Sequence, residues 1–297
     1  MTRIMLGKPV ADEMAASLAA SAERLAASGV SPRLAVVRVG DRPDDVAYED
    51  SIARRAKSVG VELKRTVLGP DADTSLLREA VRSLASDENV HGILVFRPLP
   101  QSVGGDAALA DIPLGKDVDG VTAAQMAALY TLKKGTAHPD VFFPCTAEAV
   151  MRVLDHYGIS AVGKHAVVIG RSSVIGKPVA HLLLARGATV TICHSETTSL
   201  VEQTRGADIL VCAAGLAAKN RALRLGAEYF SPGQTVVDVA INADDEGLYG
   251  DADTDAAQGV AANITPVPGG LGAVTAFVLM EHVIRATEAA METERNR

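Results

Sequence analysis

The chain has 297 residues, a formal net charge of −7, 48% hydrophobic but only 3% aromatic residues, and no tryptophan. At roughly 150 residues per domain this length suggests two domains with aliphatic cores. The acidic balance argues against nucleic-acid binding, which needs basic stripes, and no apolar run reaches the roughly 18 residues of a membrane span. The N-terminus, MTRIMLGKPVADEMAASL, mixes charged with apolar residues and does not read as a targeting segment. Cys145, Cys193 and Cys212 lie in or beside predicted strands without paired spacing. They read as small buried residues of a reducing compartment, neither disulfides nor metal ligands, in a soluble cytoplasmic protein.

In chain order, residues 8–28 form an Ala/Leu-rich helix ending near Gly29. A strand over 34–39 is stopped by Gly40, and Pro43 and Asp44 punctuate the turn before a helix over 45–58. A strand follows at 62–67, then a helix to about 85 with Thr74 or Ser75 as its cap. The run GILVF at 92–96 is a third strand, ended by Pro98 and Pro100, which makes the first half an α/β layer domain. Residues 101–140 begin irregularly, include GKDVDG at 115–120, and turn helical over 123–132. A helix over 146–156 leads into the second half, where strands are expected at 166–169, 189–193, 208–213, 235–240 and 264–267. The tail from 273 to about 292 is one long helix with an apolar face, and packing of that face on the first half would make the first domain discontinuous.

The second half is organised around KHAVVIGRSSVIGKPVAHLLLARGATVTICHS, residues 164–195. A short β-branched run reads as a buried parallel strand; a glycine loop and a helix with Pro178 in its first turn follow, then a second strand. Strand, glycine loop, helix, strand holds a dinucleotide by turning loop amides and a helix N-terminus toward the pyrophosphate. The glycines stand as GRSSVIG instead of the usual G-x-G-x-x-G, so a plain βαβ turn also fits the pattern. After the second strand an NAD site usually carries an acid for the ribose 2′-hydroxyl. Here Ser195 follows, with Arg171 in the loop above, a combination that suits the 2′-phosphate of NADP; the neighbouring Glu196 pulls the other way.

Taken together, VRVGDRPDDVAY, HGILVFRPLP, KDVDG, PCT, VVIGRSSVIGKPVA, TVTICHS, DVAIN and ITPVPGGLG, in that order, resemble the methylenetetrahydrofolate dehydrogenase/cyclohydrolase family along essentially the whole chain. The resemblance implies two α/β domains, an N-terminal βαβ catalytic domain (1–139 plus the returning helix, 273–297) and a C-terminal Rossmann-type NAD(P)-binding domain (140–272), joined by long helices. It also implies a cleft between them for a tetrahydrofolate-type substrate and NADP, and a homodimer through the Rossmann domains. Tyr48 matches the family's active-site tyrosine beside the folate ring system, and Asp119 the aspartate that binds the pterin. Such a carboxylate can accept two parallel hydrogen bonds from the 2-amino group and ring N–H. Arg171 and Ser195 match the 2′-phosphate contacts; Thr146, Gly170, Ser172, Ile241 and the Pro268-Gly269-Gly270 turn fall where relatives line the cofactor or substrate cleft. Ala273 replaces a family proline just beyond that turn.

Two departures bear on the chemistry. Four residues after the tyrosine the family carries a lysine, one helical turn on, where this chain has Ile52. The family's VQLPLP string reads VFRPLP, so its glutamine position is Phe96, followed by Arg97. Arg55 shares the face of Tyr48 but lies a further turn, about 5 Å, along the axis, and Arg54 and Lys57 read as a solvated face. A site that has lost its acid/base pair is expected to keep hydride transfer and lose cyclohydrolysis. The alternatives are the ordinary bifunctional activity with Arg55 or Arg97 entering the cleft, an oxidoreductase acting on another iminium-like or folate-derived substrate, and a non-catalytic NADP- or folate-binding protein. His91, His138 and His156 carry no ligand spacing and read as structural, while His194 borders the cofactor rim.

Overall fold

A computed structural model describes residues 1–104, 106–133, 141–218 and 220–295. In chain order the elements are β1 (Arg3–Ile4), α1 (Gly7–Ala27), β2 (Arg33–Val39), α2 (Pro43–Ser58), β3 (Glu62–Leu68), α3 (Thr74–Ser86), β4 (Gly92–Val95), α4 (Ala123–Tyr130) and α5 (Cys145–His156). Then follow β5 (His165–Ile169), α6 (Gly176–Ala185), β6 (Thr189–Cys193), α7 (Leu200–Arg205), β7 (Ile209–Cys212), β8 (Thr235–Asp238), β9 (Asn242–Asp244), β10 (Gly247–Tyr249), α8 (Thr254–Ala257), β11 (Asn263–Ile264) and α9 (Gly272–Arg295). They divide into two compact units. The first is built on Glu13–Ala128 and Ala276–Arg297 and the second on Met1–Asp12 and Thr146–Thr275, with part of the intervening segment in each. The expected boundary at 139/140 and His138 lie outside the described residues. The first twelve residues belong with the second unit, unlike the expected division, because β1 pairs in parallel with β11. That two-residue strand is too short to leave a hydrophobic pattern in the sequence.

The first unit holds a parallel sheet of order β3-β2-β4. Central β2 buries Leu34 through Val37 almost completely, as a parallel strand covered on both faces must. Edge strand β3 has only exposed and half-buried positions, and its Lys64 and Arg65 discourage further pairing. Leu77, Val81 and Leu84 form one stripe of α3 and pack with Ala35, Val37, Ile93 and Val95. Its cap is Asp73, one residue before the expected Thr74: Asp73 Oδ1 accepts the Leu76 amide at 2.9 Å, while the Thr74 hydroxyl donates to the Val103 carbonyl. Past β4, three short 3₁₀ turns lead to KDVDG. Fully buried Asp117 closes that loop by accepting the amides of Val121 (3.2 Å) and Thr122 (2.8 Å). Gly120 is required there, since its φ is 67° and a Cβ would lie 2.6 Å from the Phe142 carbonyl oxygen.

The second unit holds a six-stranded parallel sheet of order β1-β11-β8-β7-β5-β6, a Rossmann-type arrangement. The apolar runs of β5, β7 and β8 are buried throughout their centres, so the reading of 166–169 as a buried strand holds. The spacing of GRSSVIG has a steric cause. Gly170 has φ 129° and passes so close to Ala213 that a Cβ would sit 2.4 Å from that residue's carbonyl oxygen. A Cβ on Gly176 would in turn lie 2.2 Å from the carbonyl oxygen of Gly170. The loop folds back on itself, and the two glycines make room for each other. Ser172 Oγ accepts the amides of Ile175 (3.1 Å) and Gly176 (3.3 Å), satisfying donors at the start of α6. The antiparallel hairpin of β9 and β10 has no counterpart in the expected elements. Beyond it, fully buried Asp251 accepts the amides of Ala214 (3.1 Å) and Gly215 (2.8 Å) and holds the loop after β7. Among the described residues, no helix is long and apolar enough to cross a membrane.

Because Gly176 meets backbone and not a movable side chain, Gly176→Ala should destabilise the second unit by about 1–3 kcal/mol. A calorimetric scan checks this as a lowered melting transition.

Candidate active site

In the first unit the candidate residues gather around α2. Pro43 sits in its first turn with Asp44 and Asp45, where a fixed φ and negative charge both favour helix initiation. Glu49, Ile52 and Ala56, at i, i+3 and i+7, form its buried face. Glu49 is only 5% exposed, and its carboxylate accepts from Arg38 Nε of β2 at 2.7 Å and from Arg65 Nε of β3. Arg38 bonds onward to the Gly40 carbonyl and to Asp41. This clamp holds α2 to two strands and fixes its rotation. Tyr48, the preceding residue, lies against Phe96 with ring centroids 5.3 Å apart and planes at 44°. Ile52, one turn on, is completely buried.

Phe96 continues β4 by donating its amide to the Val37 carbonyl at 2.9 Å, and its side chain is buried. Arg97 follows, joined to Pro98 by a cis peptide bond. Its Nη2 donates to Asp119 Oδ2 at 3.3 Å, with the two side chains 22% and 23% exposed. Burial pushes the Asp119 carboxyl up to about 6; the Arg97 guanidinium and His282 oppose the rise and Asp117 adds to it. The Tyr48 hydroxyl is held well above its ordinary range, although the residue as a whole is 47% exposed. Protein crowded around the phenol is the main cause; Asp119 and Cys145 reinforce it and Arg55 opposes it. Arg55 is turned back onto Ser51 of its own helix, and Arg54 and Lys57 are exposed. Buried His282 donates from Nδ1 to the Val118 carbonyl at 2.8 Å, with Cys145 Sγ at 3.7 Å. The cluster thus offers two aromatic rings, a carboxylate paired with a guanidinium, and a phenol that stays protonated at neutral pH.

A second group sits on the second unit, at strand ends. Gly170 donates its amide to the Cys193 carbonyl at 2.8 Å, which brings the loops after β5 and β6 together. Arg171, Ser172 and Ser195 are exposed there. Glu196 Oε1 accepts from Arg171 Nη2 at 2.8 Å, so the acid beside Ser195 is paired with the cation of the loop after β5. The Arg171 guanidinium holds the Glu196 carboxyl below the usual range. His194 Nδ1 accepts the Glu196 amide at 3.3 Å. Ile241, 65% exposed, follows β8, and Pro268-Gly269-Gly270 follows β11, the neighbouring strand. The Gly269 carbonyl accepts the Gly7 amide at 2.8 Å. Thr146 is half-buried at the start of α5. His91 accepts the Arg33 amide on Nδ1 at 3.2 Å and is structural; burial pushes it down to about 4.

Two features escape motif reasoning. The Arg38–Glu49–Arg65 clamp joins residues from three elements; only the spacing of Glu49, Ile52 and Ala56 on one helical face marks it in the sequence. The Arg97–Asp119 pair closes across 22 residues of irregular chain, which no periodicity bridges.

Residues 5–119 match the tetrahydrofolate dehydrogenase/cyclohydrolase catalytic domain, and residues 144–291 match the NAD(P)-binding domain of the same family. The bifunctional protein FolD of Carboxydothermus hydrogenoformans is 41% identical over 291 residues, covering 97% of this chain and 98% of that protein. Among solved structures, the bifunctional enzyme FolD-methylenetetrahydrofolate dehydrogenase/cyclohydrolase from Campylobacter jejuni is 33% identical with a TM-score of 0.91, covering 97% of this chain and 99% of that one. The N5,N10-methylenetetrahydrofolate dehydrogenase-cyclohydrolase of Trypanosoma brucei, solved with NADP cofactor and an inhibitor, is 31% identical with a TM-score of 0.89 and 98% coverage of both chains.

Removing one member of a buried charge cluster leaves the others uncompensated. Glu49→Ala should therefore cost about 3 kcal/mol, the low end for a broken buried pair because Arg65 keeps half its surface in water. Glu49→Gln, which retains an acceptor, should cost less. Denaturant titration of both variants tests the order.

Proposed function

The chain belongs to the tetrahydrofolate dehydrogenase/cyclohydrolase family, and from that premise we propose that it is an NADP-dependent methylenetetrahydrofolate dehydrogenase whose cyclohydrolase activity is lost or severely reduced. The observation that carries this reading is the complete burial of Ile52, one helical turn after Tyr48, at the position of the family lysine, with Phe96 packed on the Tyr48 ring. Tyr48 would border the folate rings, and Asp119 would accept the 2-amino and ring N–H donors of the pterin. Pro268, Gly269 and Gly270 would line the substrate's approach. A homodimer through the NAD(P)-binding units and a cytoplasmic location belong to the same reading.

The residues of the second unit fit NADP. Arg171 and Ser195 supply an exposed cation and hydroxyl for a 2′-phosphate, and the close approach of Gly170 and Gly176 leaves no side chain to block a pyrophosphate from the loop. Thr146, Ser172 and Ile241 would complete the contacts. When bound, NADP supplies the hydride acceptor.

The two family reactions ask different things of the protein. In dehydrogenation the lone pairs of the flanking folate nitrogens expel the hydride from the methylene carbon and leave a delocalised methenyl cation. No protein base removes a proton, so positioning suffices. Cyclohydrolysis must activate water and deliver a proton to the departing nitrogen, work for which a placed acid/base is worth about 10²–10⁴-fold. Ile52 and Phe96 cannot do it. Arg97 and Arg55 cannot substitute, because a guanidinium does not release its proton near neutrality. The Tyr48 phenol is held protonated.

NADPH formation from methylenetetrahydrofolate should be readily measurable, while decay of methenyltetrahydrofolate absorbance should barely exceed the uncatalysed rate. Catalysed decay comparable with the dehydrogenase rate would sink the loss of hydrolysis. Ile52→Lys alone should not restore it, since the ammonium would enter an apolar wall; Ile52→Lys with Phe96→Gln should recover part. Coenzyme choice gives a separate check. Glu196 competes with a 2′-phosphate for Arg171, so Glu196→Gln should lower the KM for NADP roughly 1.5- to 5-fold, in keeping with the modest worth of an exposed ion pair, without lowering that for NAD.

A further inference from the structure

Arg97 has no counterpart in the family string, yet it stands inside the cluster that replaces the family's polar pair. It leaves β4 directly after Phe96, and its Nη2 meets Asp119 Oδ2 at 3.3 Å with roughly four-fifths of each side chain covered. Among the described residues, that bond is the only one formed by either side chain, so Asp119 Oδ1 and the remaining Arg97 N–H groups are open to a ligand. The pair sits by the Tyr48 and Phe96 rings, which offer a surface on which a flat heterocycle can lie. A site of this kind presents two acceptor oxygens and, next to them, a fixed row of donors. Its complement is a planar edge reading donor, donor, acceptor.

We propose that Arg97 and Asp119 together read the 2-amino-4-oxo edge of the pterin, Asp119 accepting from the 2-amino group and ring N–H while Arg97 donates to the 4-oxo oxygen. This rests on the folate reading above and adds a specificity-determining residue to it. A carboxylate alone would accept the 2-amino donors of a 4-oxo and a 4-amino pteridine alike. The guanidinium breaks that tie, because a 4-amino group turns its own N–H toward a cation that can only donate. A buried charged donor left facing another donor loses a charge-assisted hydrogen bond, a difference of roughly 10- to 100-fold in affinity. Leucine at this position could not make the distinction. Arg97 also keeps Asp119 acting as an acceptor: burial drives that carboxyl up to about 6, Asp117 pushes the same way, and Arg97 and His282 oppose them.

Calorimetric titration of the full-length protein, with NADP present, measures binding of tetrahydrofolate and of a 4-amino-4-deoxy analogue. The wild type should prefer the 4-oxo ligand by roughly tenfold or more. Arg97→Met should abolish the preference and raise the KM for methylenetetrahydrofolate by a similar factor, with kcat at saturation and NADP affinity little changed; Arg97→Lys should recover part of the preference. A wild type that binds both pteridines equally would overturn the proposal without any variant being needed. So would an Arg97→Met protein that folds, binds NADP and keeps the full preference, or one that loses kcat at unchanged KM. A wild type that binds NADP but neither pteridine overturns the folate reading together with this one, whereas equal binding of the two overturns only the role of Arg97.

Discussion

Parallel strand pairing is the constraint on which the rest of this molecule depends. Parallel neighbours cannot be joined by a tight hairpin, so each strand must hand the chain to a crossover, and the loops beyond the carboxyl ends collect on one edge. Arg97 and Phe96 directly follow β4, and Tyr48 lies on the helix that follows β2. Gly170, Arg171 and Ser172 follow β5, Ser195 and Glu196 follow β6, Ile241 follows β8, and the Pro268 turn follows β11. Residues far apart in sequence share an edge in each unit because of strand direction alone.

Edges bring residues near one another; clamps decide their orientation. A helix resting on a sheet through aliphatic contacts alone can roll, since dispersion has little directional preference. Glu49 removes that freedom by engaging arginines of two adjacent strands from one buried carboxylate. Hydrogen bonds to guanidinium groups are directional, so the rotation that satisfies them also sets where Tyr48 and Ile52 emerge. In the second unit Asp251 does comparable work with backbone amides, and Ser172 with the first amides of α6. The loops that carry the candidate residues are the least regular parts of the backbone, and buried polar groups rather than secondary structure give them their shape.

That division explains what was legible beforehand. Buried strands such as 34–39 and 166–169 announce themselves, because burial on both faces demands continuous aliphatic runs. The dinucleotide loop was legible as a strand, a glycine loop and a helix, but its six-residue glycine spacing made sense only once Gly176 was seen to pack on the Gly170 carbonyl. Pairings across irregular chain were not legible. Asp119 meets Arg97, and Glu196 meets Arg171, through loops whose course no periodicity encodes. The same holds for β1, whose two residues join a sheet formed almost entirely by the far half of the chain. Capping was legible in kind but not in register, as Asp73 in place of Thr74 shows.

The exchange at Ile52, Phe96 and Arg97 is best understood as a relocation of charge. A carboxyl held as deep as Asp119 needs a cation nearby, or desolvation would keep it neutral over the range where it must accept hydrogen bonds. A lysine on α2 could meet that need and also shuttle a proton, since an ammonium surrenders one when its surroundings are dry. Arg97 meets the first need from the end of β4 but not the second, because a guanidinium remains charged at any pH the fold survives. With the cation moved, the α2 position no longer benefits from charge, and the aliphatic Ile52 there is fully buried. On the function proposed above, binding and proton transfer, which one residue can serve together, are thereby separated: recognition of the ring stays at the strand end, and the means of delivering a proton is given up on the helix.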